Sequence, residues 1–304
     1  MASNKIQPEY LKPGDTVAII SPSFSIDEKK VAEAVSFLEK WGLHVLVGRN
    51  ALKHTGPFAG NDEDRLSDLQ EMTSNIEIKA VFCSRGGYGV SKIISRVDFS
   101  ALKKNPKWYV GFSDITVLHI WLSEVCRIMS VHGEMPVNYN NPEKTRVTFS
   151  SLKKILSGDF QSYEWEGTFF KPGNVTGEIT GGNLSLFYSL TGTPASPVTK
   201  GKILFIEEMG EPYYRIDRMI TSLKLAGKLK GLSALLIGGM TKIEEAKVPW
   251  GKSIEETISG IVSEYDYPIF FNFPAGHVSD NRAFYIGKQA KIDVDGKRAN
   301  LIFV

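Results

Sequence analysis

Apolar residues in the first half of the chain fall into short blocks that alternate between two periods. Residues 16–20 (TVAII) form an unbroken apolar run, the mark of a buried strand. Ser25 and Glu28 then stand as S-x-x-E, which predicts a capping box. Val31, Ala34, Val35, Leu38 and Trp41 follow at helical spacing, and Gly42 closes the helix. His44–Val47 predicts a second strand, and Asn61 predicts the cap of a polar helix with Leu66, Leu69 and Met72 on its apolar face. A third strand over 77–83 runs into the glycine-rich S-R-G-G-Y-G of 84–89, and a helix starts at Val90–Ile94. Trp108–Phe112 is a fourth strand, followed at once by Ser113 and a helix over 115–125. Strand-helix alternation of this kind predicts an α/β fold with a doubly wound parallel sheet.

The periodicity weakens over 141–172, where Asn141-Pro142 and Lys171-Pro172-Gly173 punctuate the chain around one helix at 150–157. It resumes at 177–183 with G-E-I-T-G-G-N. Strands at 202–207, 233–238 and 268–272 then alternate with helices at 184–190, 215–225 and 253–264, and 283–304 reads as strands joined by an Asp295-Gly296 turn. The 304 residues suit two domains at roughly 150 residues each. The division expected is 1–150, a linker at 151–172, and 173–304.

Charge changes this picture little. Lys and Arg number 36 against 34 Asp and Glu, a net of +2, which argues against a nucleic-acid or membrane-surface partner. The N-terminal MASNKIQPEYLKPGD has no apolar signal core, and no apolar stretch approaches the length of a membrane span, so a cytoplasmic protein is expected. Two cysteines, Cys83 and Cys126, fit small core residues of a reducing compartment and make no zinc pattern. The chemistry is expected to come from side chains or a diffusible cofactor.

The strongest local feature is W-Y-V-G-F-S-D-I-T at 108–116. A strand ends, a serine follows and a helix begins, as in a nucleophile elbow, although Ile115 replaces the second glycine of G-x-S-x-G. Taken alone, Ser113 reads more plainly as a helix cap. The S-R-G-G-Y-G loop is either an anion or oxyanion cradle or a tight turn; it is neither G-x-G-x-x-G nor a Walker loop. Arg85 in that loop suits a carboxylate or phosphate. Of five histidines, His44, His54, His119 and His132 each read as structural. His277 ends the strand of F-F-N-F in a Gly/Pro loop suited to a general base. Glu207 stands where the apolar strand K-I-L-F-I runs out, as an orienting carboxylate or, with Glu208, as a solvated pair. Cys83, another strand-end residue, is a rival thiol nucleophile or a core residue.

Together the motifs S-R-G-G-Y-G (84–89), G-F-S-D-I-T-V-L-H (111–119), H-G-E-M (132–135), T-G-G-N-L-S (180–185), F-I-E-E…Y-R-I-D-R-M (205–219) and P-A-G-H (274–277), with F-A-G-N-D-E-D-R-L-S-D-L at 58–69, resemble the LD-carboxypeptidase family of serine peptidases. The resemblance covers nearly the whole chain in order. It implies a flavodoxin-like N-terminal domain, a smaller C-terminal α/β domain with a β-rich part, a site between the domains, and a homodimer. It implies a Ser113–His277–Glu207 triad, with Glu208 where the family has aspartate. The oxyanion donors it implies are the amides of Asp114 and Gly87; Arg85 is the candidate for binding the substrate's terminal carboxylate. The activity implied is release of terminal D-alanine from muropeptide tetrapeptides during peptidoglycan recycling, without a cofactor. Alternatives are a microcin-immunity-type peptidase acting on aminoacyl-nucleotides, and a non-catalytic anion or nucleotide binder.

Overall fold

A computed structural model describes residues 5–245 and 247–304. The chain divides into two compact units. The first runs up to Phe160 and takes back Ser279–Tyr285; the second comprises Gln161–Val278 and Ile286–Val304.

In the first unit, five strands form parallel pairs: β1 (Thr16–Ile20), β2 (His44–Val47), β3 (Ile78–Cys83), β4 (Trp108–Gly111) and β5 (Ser130–His132). Their order, 2-1-3-4-5, is that of flavodoxin-like doubly wound sheets, in which ligands bind beyond the carboxyl ends of the strands. The central strands are covered on both faces. Val81, Phe82 and Cys83 of β3 and Trp108, Tyr109 and Val110 of β4 have no exposure. Each large apolar side chain so buried contributes roughly 1.5–3 kcal/mol.

The connecting helices are α1 (Glu28–Glu39), α2 (Asp62–Ser74), α3 (Val90–Ile93), α4 (Thr116–Trp121) and α5 (Arg146–Ser157). The capping box expected at Ser25 and Glu28 does not form. Asp27 is the N-cap, its carboxylate accepting the Lys29 amide at 2.8 Å, while the Ser25 amide is committed to the Pro57 carbonyl. Asn61 does cap α2, in a reciprocal box with Asp64. The helix expected over 115–125 is a 3₁₀ turn at Ser113–Ile115, then α4, then a wider π-type turn over Leu122–Cys126.

The second unit holds an eight-stranded mixed sheet: β6 (Tyr163–Glu166), β7 (Phe169–Phe170), β8 (Val175–Asn183), β9 (Lys202–Met209), β10 (Ala234–Thr241), β11 (Ile269–Phe270), β13 (Gln289–Asp295) and β14 (Arg298–Phe303), with β12 (Phe284–Ile286) lying instead at the edge of the first sheet beside β5. Strands β8 to β11 are parallel neighbours, and β13–β14 is an antiparallel hairpin. Helices α6 (Leu184–Ser189), α7 (Tyr213–Leu225) and α8 (Ile254–Ile261) complete the unit. The stretch 151–172, expected as a linker, carries most of α5 and both β6 and β7. Regular structure thus runs up to either side of the division after Phe160. Four-residue β6 alternates buried and exposed over too few positions to stand out in sequence, and β7 is only two residues long. Among the described residues, no helix is long and apolar enough to cross a membrane.

Candidate active site

Ser113 follows β4 directly, and its backbone is left-handed, with φ of +64°. That conformation is uncommon for a residue with a Cβ and marks a tight, strained turn. No side-chain hydrogen bond caps the turn that begins there, so the capping role open to a serine at this junction is not the one it fills. The half-buried serine is instead held out at the carboxyl end of the sheet. Room for it comes from Gly86 in the S-R-G-G-Y-G loop. A Cβ on Gly86 would fall 2.8 Å from both Cβ and Oγ of Ser113, and 3.5 Å from the Asp114 amide nitrogen. The missing glycine at position 115 is therefore offset by a glycine from the neighbouring loop. The Ile115 side chain turns back instead to pack against Gly111.

The turn is braced from its own helix. His119, fully buried in α4, lies 2.8 Å by Nε2 from the Gly111 carbonyl and 2.8 Å by Nδ1 from Ser130 Oγ. Burial pulls its pKa down to about 4, partly offset by the Gly111 carbonyl. The neutral ring thus donates from Nε2 and accepts at Nδ1. Gly111 is two residues before Ser113, so His119 closes strand, turn and helix on themselves.

The other expected first-unit residues lie around this turn. Gly87 is exposed, with φ of +118°, and its loop packs on Ser113 through Gly86. Asp114 is fully buried. Burial pushes its pKa up, against the lowering effect of bonds from Ser23 and Val90. Arg85 is half-buried; its Nη1 donates to the Ser25 carbonyl at 2.9 Å, and its guanidinium lies 6.0 Å from the Phe24 ring centre. Cys83 is fully buried, and burial, then the Asp114 charge, raise its thiol far above the ordinary range. A thiolate nucleophile there has no physical support.

In the second unit the structure brings Glu207 and His277 together. Glu207 is buried at the carboxyl end of β9, opposite Asn183 of β8. Its Oε2 accepts from both Nδ1 (2.7 Å) and the backbone amide (3.1 Å) of His277. Donation from Nδ1 leaves the imidazole lone pair on Nε2, the atom a general base uses. The close fit requires Gly276, where a Cβ would fall 2.6 Å from Glu207 Oε2. The histidine loop is laid along β10 by bonds from the Phe273 amide to Ile237, the Gly239 amide to Ala275, and Thr241 Oγ1 to the His277 carbonyl.

The solvated reading of the Glu207–Glu208 pair is overturned, because both are buried. Adjacent strand residues face opposite ways. Glu208 turns to the T-G-G-N-L-S motif, accepting from Asn183 Nδ2 (2.9 Å), Ser185 Oγ (2.6 Å) and the Ser185 amide (2.9 Å). In the sequence this support, like Gly86, shows only as part of a longer motif, whereas His119 reads as structural and is. Of the other histidines, His132 is buried against Phe284, with Asn281 Oδ1 3.3 Å from its Nε2, while His44 and His54 are exposed. Among the described residues, no three His, Cys, Asp or Glu side chains gather as a metal site.

The arrangement can be set beside known proteins. The model of the LD-carboxypeptidase N-terminal domain matches residues 17–133, and that of the LD-carboxypeptidase C-terminal domain matches residues 176–292. A probable murein peptide carboxypeptidase of Bacillus subtilis is 36% identical over 297 residues, covering 96% of this chain and 93% of the relative. The crystal structure of muramoyltetrapeptide carboxypeptidase from Oxalobacter formigenes superposes with a TM-score of 0.86 at 27% identity, over 95% of this chain and 98% of that one. The Microcin C7 self immunity protein MccF, known from Escherichia coli and solved with aspartyl sulfamoyl adenosine, gives 0.89 at 21% identity over 98% of both chains; that likeness shows the fold. With both domain models matched in order and a relative at this identity across the chain, the protein belongs to the LD-carboxypeptidase family of serine-type carboxypeptidases.

Proposed function

We propose that the protein is an LD-carboxypeptidase that removes the terminal D-alanine from muropeptide tetrapeptides, across an L-to-D amide bond, in cytoplasmic peptidoglycan recycling. The observation that carries the chemistry is Ser113: a serine held at φ +64° on a strand-to-helix turn without capping that helix. The substrate rests on the names of the murein and muramoyltetrapeptide carboxypeptidases to which the chain is similar.

In this reading Ser113 Oγ attacks the scissile carbonyl while His277 Nε2 takes its proton. Glu207 holds the imidazole through Nδ1 and stabilises the imidazolium as it forms. The amides of Asp114 and Gly87 receive the oxyanion, each such donor being worth about 10²–10³ in rate. His277 passes the proton to the departing amine, and D-alanine leaves. A water attacks the acyl-serine with His277 again as base, and Ser113 is regenerated. Arg85, whose guanidinium is the fixed cation of the glycine loop, is assigned to the substrate's terminal carboxylate. The functional form is a homodimer acting on a small peptide, without nucleic acid, membrane or cofactor.

Incubation with L-Ala-γ-D-Glu-(diamino acid)-D-Ala is expected to show, by mass spectrometry, loss of one alanine, abolished by Ser113→Ala. Intact tetrapeptide, with cleavage of an aminoacyl-sulfamoyl adenosine instead, would move the chain to the microcin-immunity type of substrate.

A further inference from the structure

The side chain of Asp114 has no part in the reaction just described, which uses only its amide. A carboxylate that merely served a helix start would accept from amides of its own turn. This one reaches two other segments of the chain. Its Oδ2 accepts from Ser23 Oγ at 2.5 Å and from the Val90 amide at 3.0 Å. Val90 is the residue directly after the glycine loop, and Ser23 precedes Phe24. The Phe24 ring lies so close to Gly87 that a Cβ there would fall 2.4 Å from ring carbons. Behind the loop the Arg65 guanidinium fills the space beside Gly89 and donates to the Pro22 carbonyl at 3.0 Å. The middle and the C-terminal end of the S-R-G-G-Y-G loop are thereby fixed. Gly86 abuts Ser113, and Val90 is tied to the residue after Ser113.

We propose that the Asp114 carboxyl is a positioning residue: through Ser23 Oγ and the Val90 amide it pins the glycine loop and the Pro22–Phe24 segment to the nucleophile turn, and so sets the aim of the Gly87 and Asp114 amides. This rests on the reading of Ser113 as nucleophile. Burying an acidic group beside a nucleophile opposes folding unless strong donors compensate. A hydroxyl and an amide converging on Oδ2 supply part of that compensation, while the buried Oδ1 has no hydrogen-bond partner among the described residues, and they also cross-link three loops at the point where two oxyanion donors must hold their geometry. A displacement of about 1 Å in such a site costs on the order of 10²-fold in rate.

The test uses the full chain as wild type, Ser23→Ala, Asp114→Ala and Asp114→Asn. Each is measured for kcat and KM on the tetrapeptide, for the rate of Ser113 phosphonylation by a fluorophosphonate, and for melting temperature. Ser23→Ala and Asp114→Ala are expected to lower kcat and phosphonylation together by about 10- to 100-fold, with KM changed by less than about threefold. Asp114→Asn retains an oxygen able to accept both donors and is expected to recover most of the loss. Ser23→Ala removes only one hydroxyl and serves if Asp114→Ala does not fold. Wild-type kcat and labelling in folded Ser23→Ala, or an Asp114→Asn no better than Asp114→Ala, would overturn the proposal. If the wild-type chain labels at Ser113 but leaves the tetrapeptide intact, the substrate assignment fails and the positioning role is still read from the labelling rates. A wild-type chain that does not label at Ser113 overturns the nucleophile and this proposal with it.

Discussion

At Glu207 one carboxylate oxygen takes two bonds from the same residue, the ring nitrogen and the main-chain amide of His277. The second bond fixes where the histidine backbone sits, so the ring has little freedom left to choose its partner. Glu207→Gln conserves the shape but can present its NH₂ to Nδ1, favouring the tautomer with the proton on Nε2. We expect kcat to fall by about 10³–10⁴ with KM little changed, read from steady-state tetrapeptide kinetics; a fall under tenfold would remove Glu207 from the orienting role. Such residues were only partly legible in sequence. Ser113, Glu207 and His277 stood out because each follows closely on an apolar run, which a linear pattern records. Ser23 did not, because its partner lies 91 positions away and nothing in S-P-S-F announces a bond to Asp114. The solvated reading of Glu207–Glu208 failed because a linear pattern does not show that both faces of that strand end are covered, each with donors waiting.

Among the elements, the strand-turn-helix around Ser113 depends on a histidine that must stay neutral. His119 has a folded pKa near 4, below the ordinary value of about 6.5 for an exposed imidazole. Its contribution to stability is complete above pH 6.5. As pH falls from 6.5 towards 4 the unfolded chain takes up a proton that the folded chain refuses, and stability declines by about 3 kcal/mol. Urea unfolding at a series of pH values is expected to show this slope, and His119→Gln to flatten it. An unchanged slope in that variant would assign the acid sensitivity elsewhere. The helix containing His119 was read correctly as an element, whereas its wider final turn and the strained first residue were not. Apolar spacing reports which face is covered, not whether a turn is 3₁₀, α or π. Likewise Ser25 and Glu28 match a capping box in spelling, but the Ser25 amide was already bound to Pro57.

For the whole molecule, the parallel first sheet was legible from its apolar runs. That residues near the C-terminus return to the first unit was not, since F-Y-I reads as one more strand of whichever sheet is near. The returning segment is well anchored. The Asn281 amide donates to Thr148 Oγ1, Asn281 Nδ2 to Glu134, the Ala283 amide to Ser151 Oγ and Tyr285 Oη to the Ile155 carbonyl, while Phe284 stacks on His132 at 4.6 Å. Losing buried side chains of this size costs roughly 3–5 kcal/mol each. A fragment ending at Phe160 is therefore expected to lack a cooperative thermal transition by circular dichroism. The same fragment with 279–285 appended through a flexible linker is expected to regain one; equal melting of the two would show the segment dispensable. The return also bears on how the protein is made. Synthesis runs from the N-terminus at about 5–20 residues per second, so the ribosome delivers Ser113 well before Phe284–Ile286. The sheet that presents it lacks its last strand until Phe284–Ile286 has been translated. Nascent chains released before that point carry the serine without its finished scaffold.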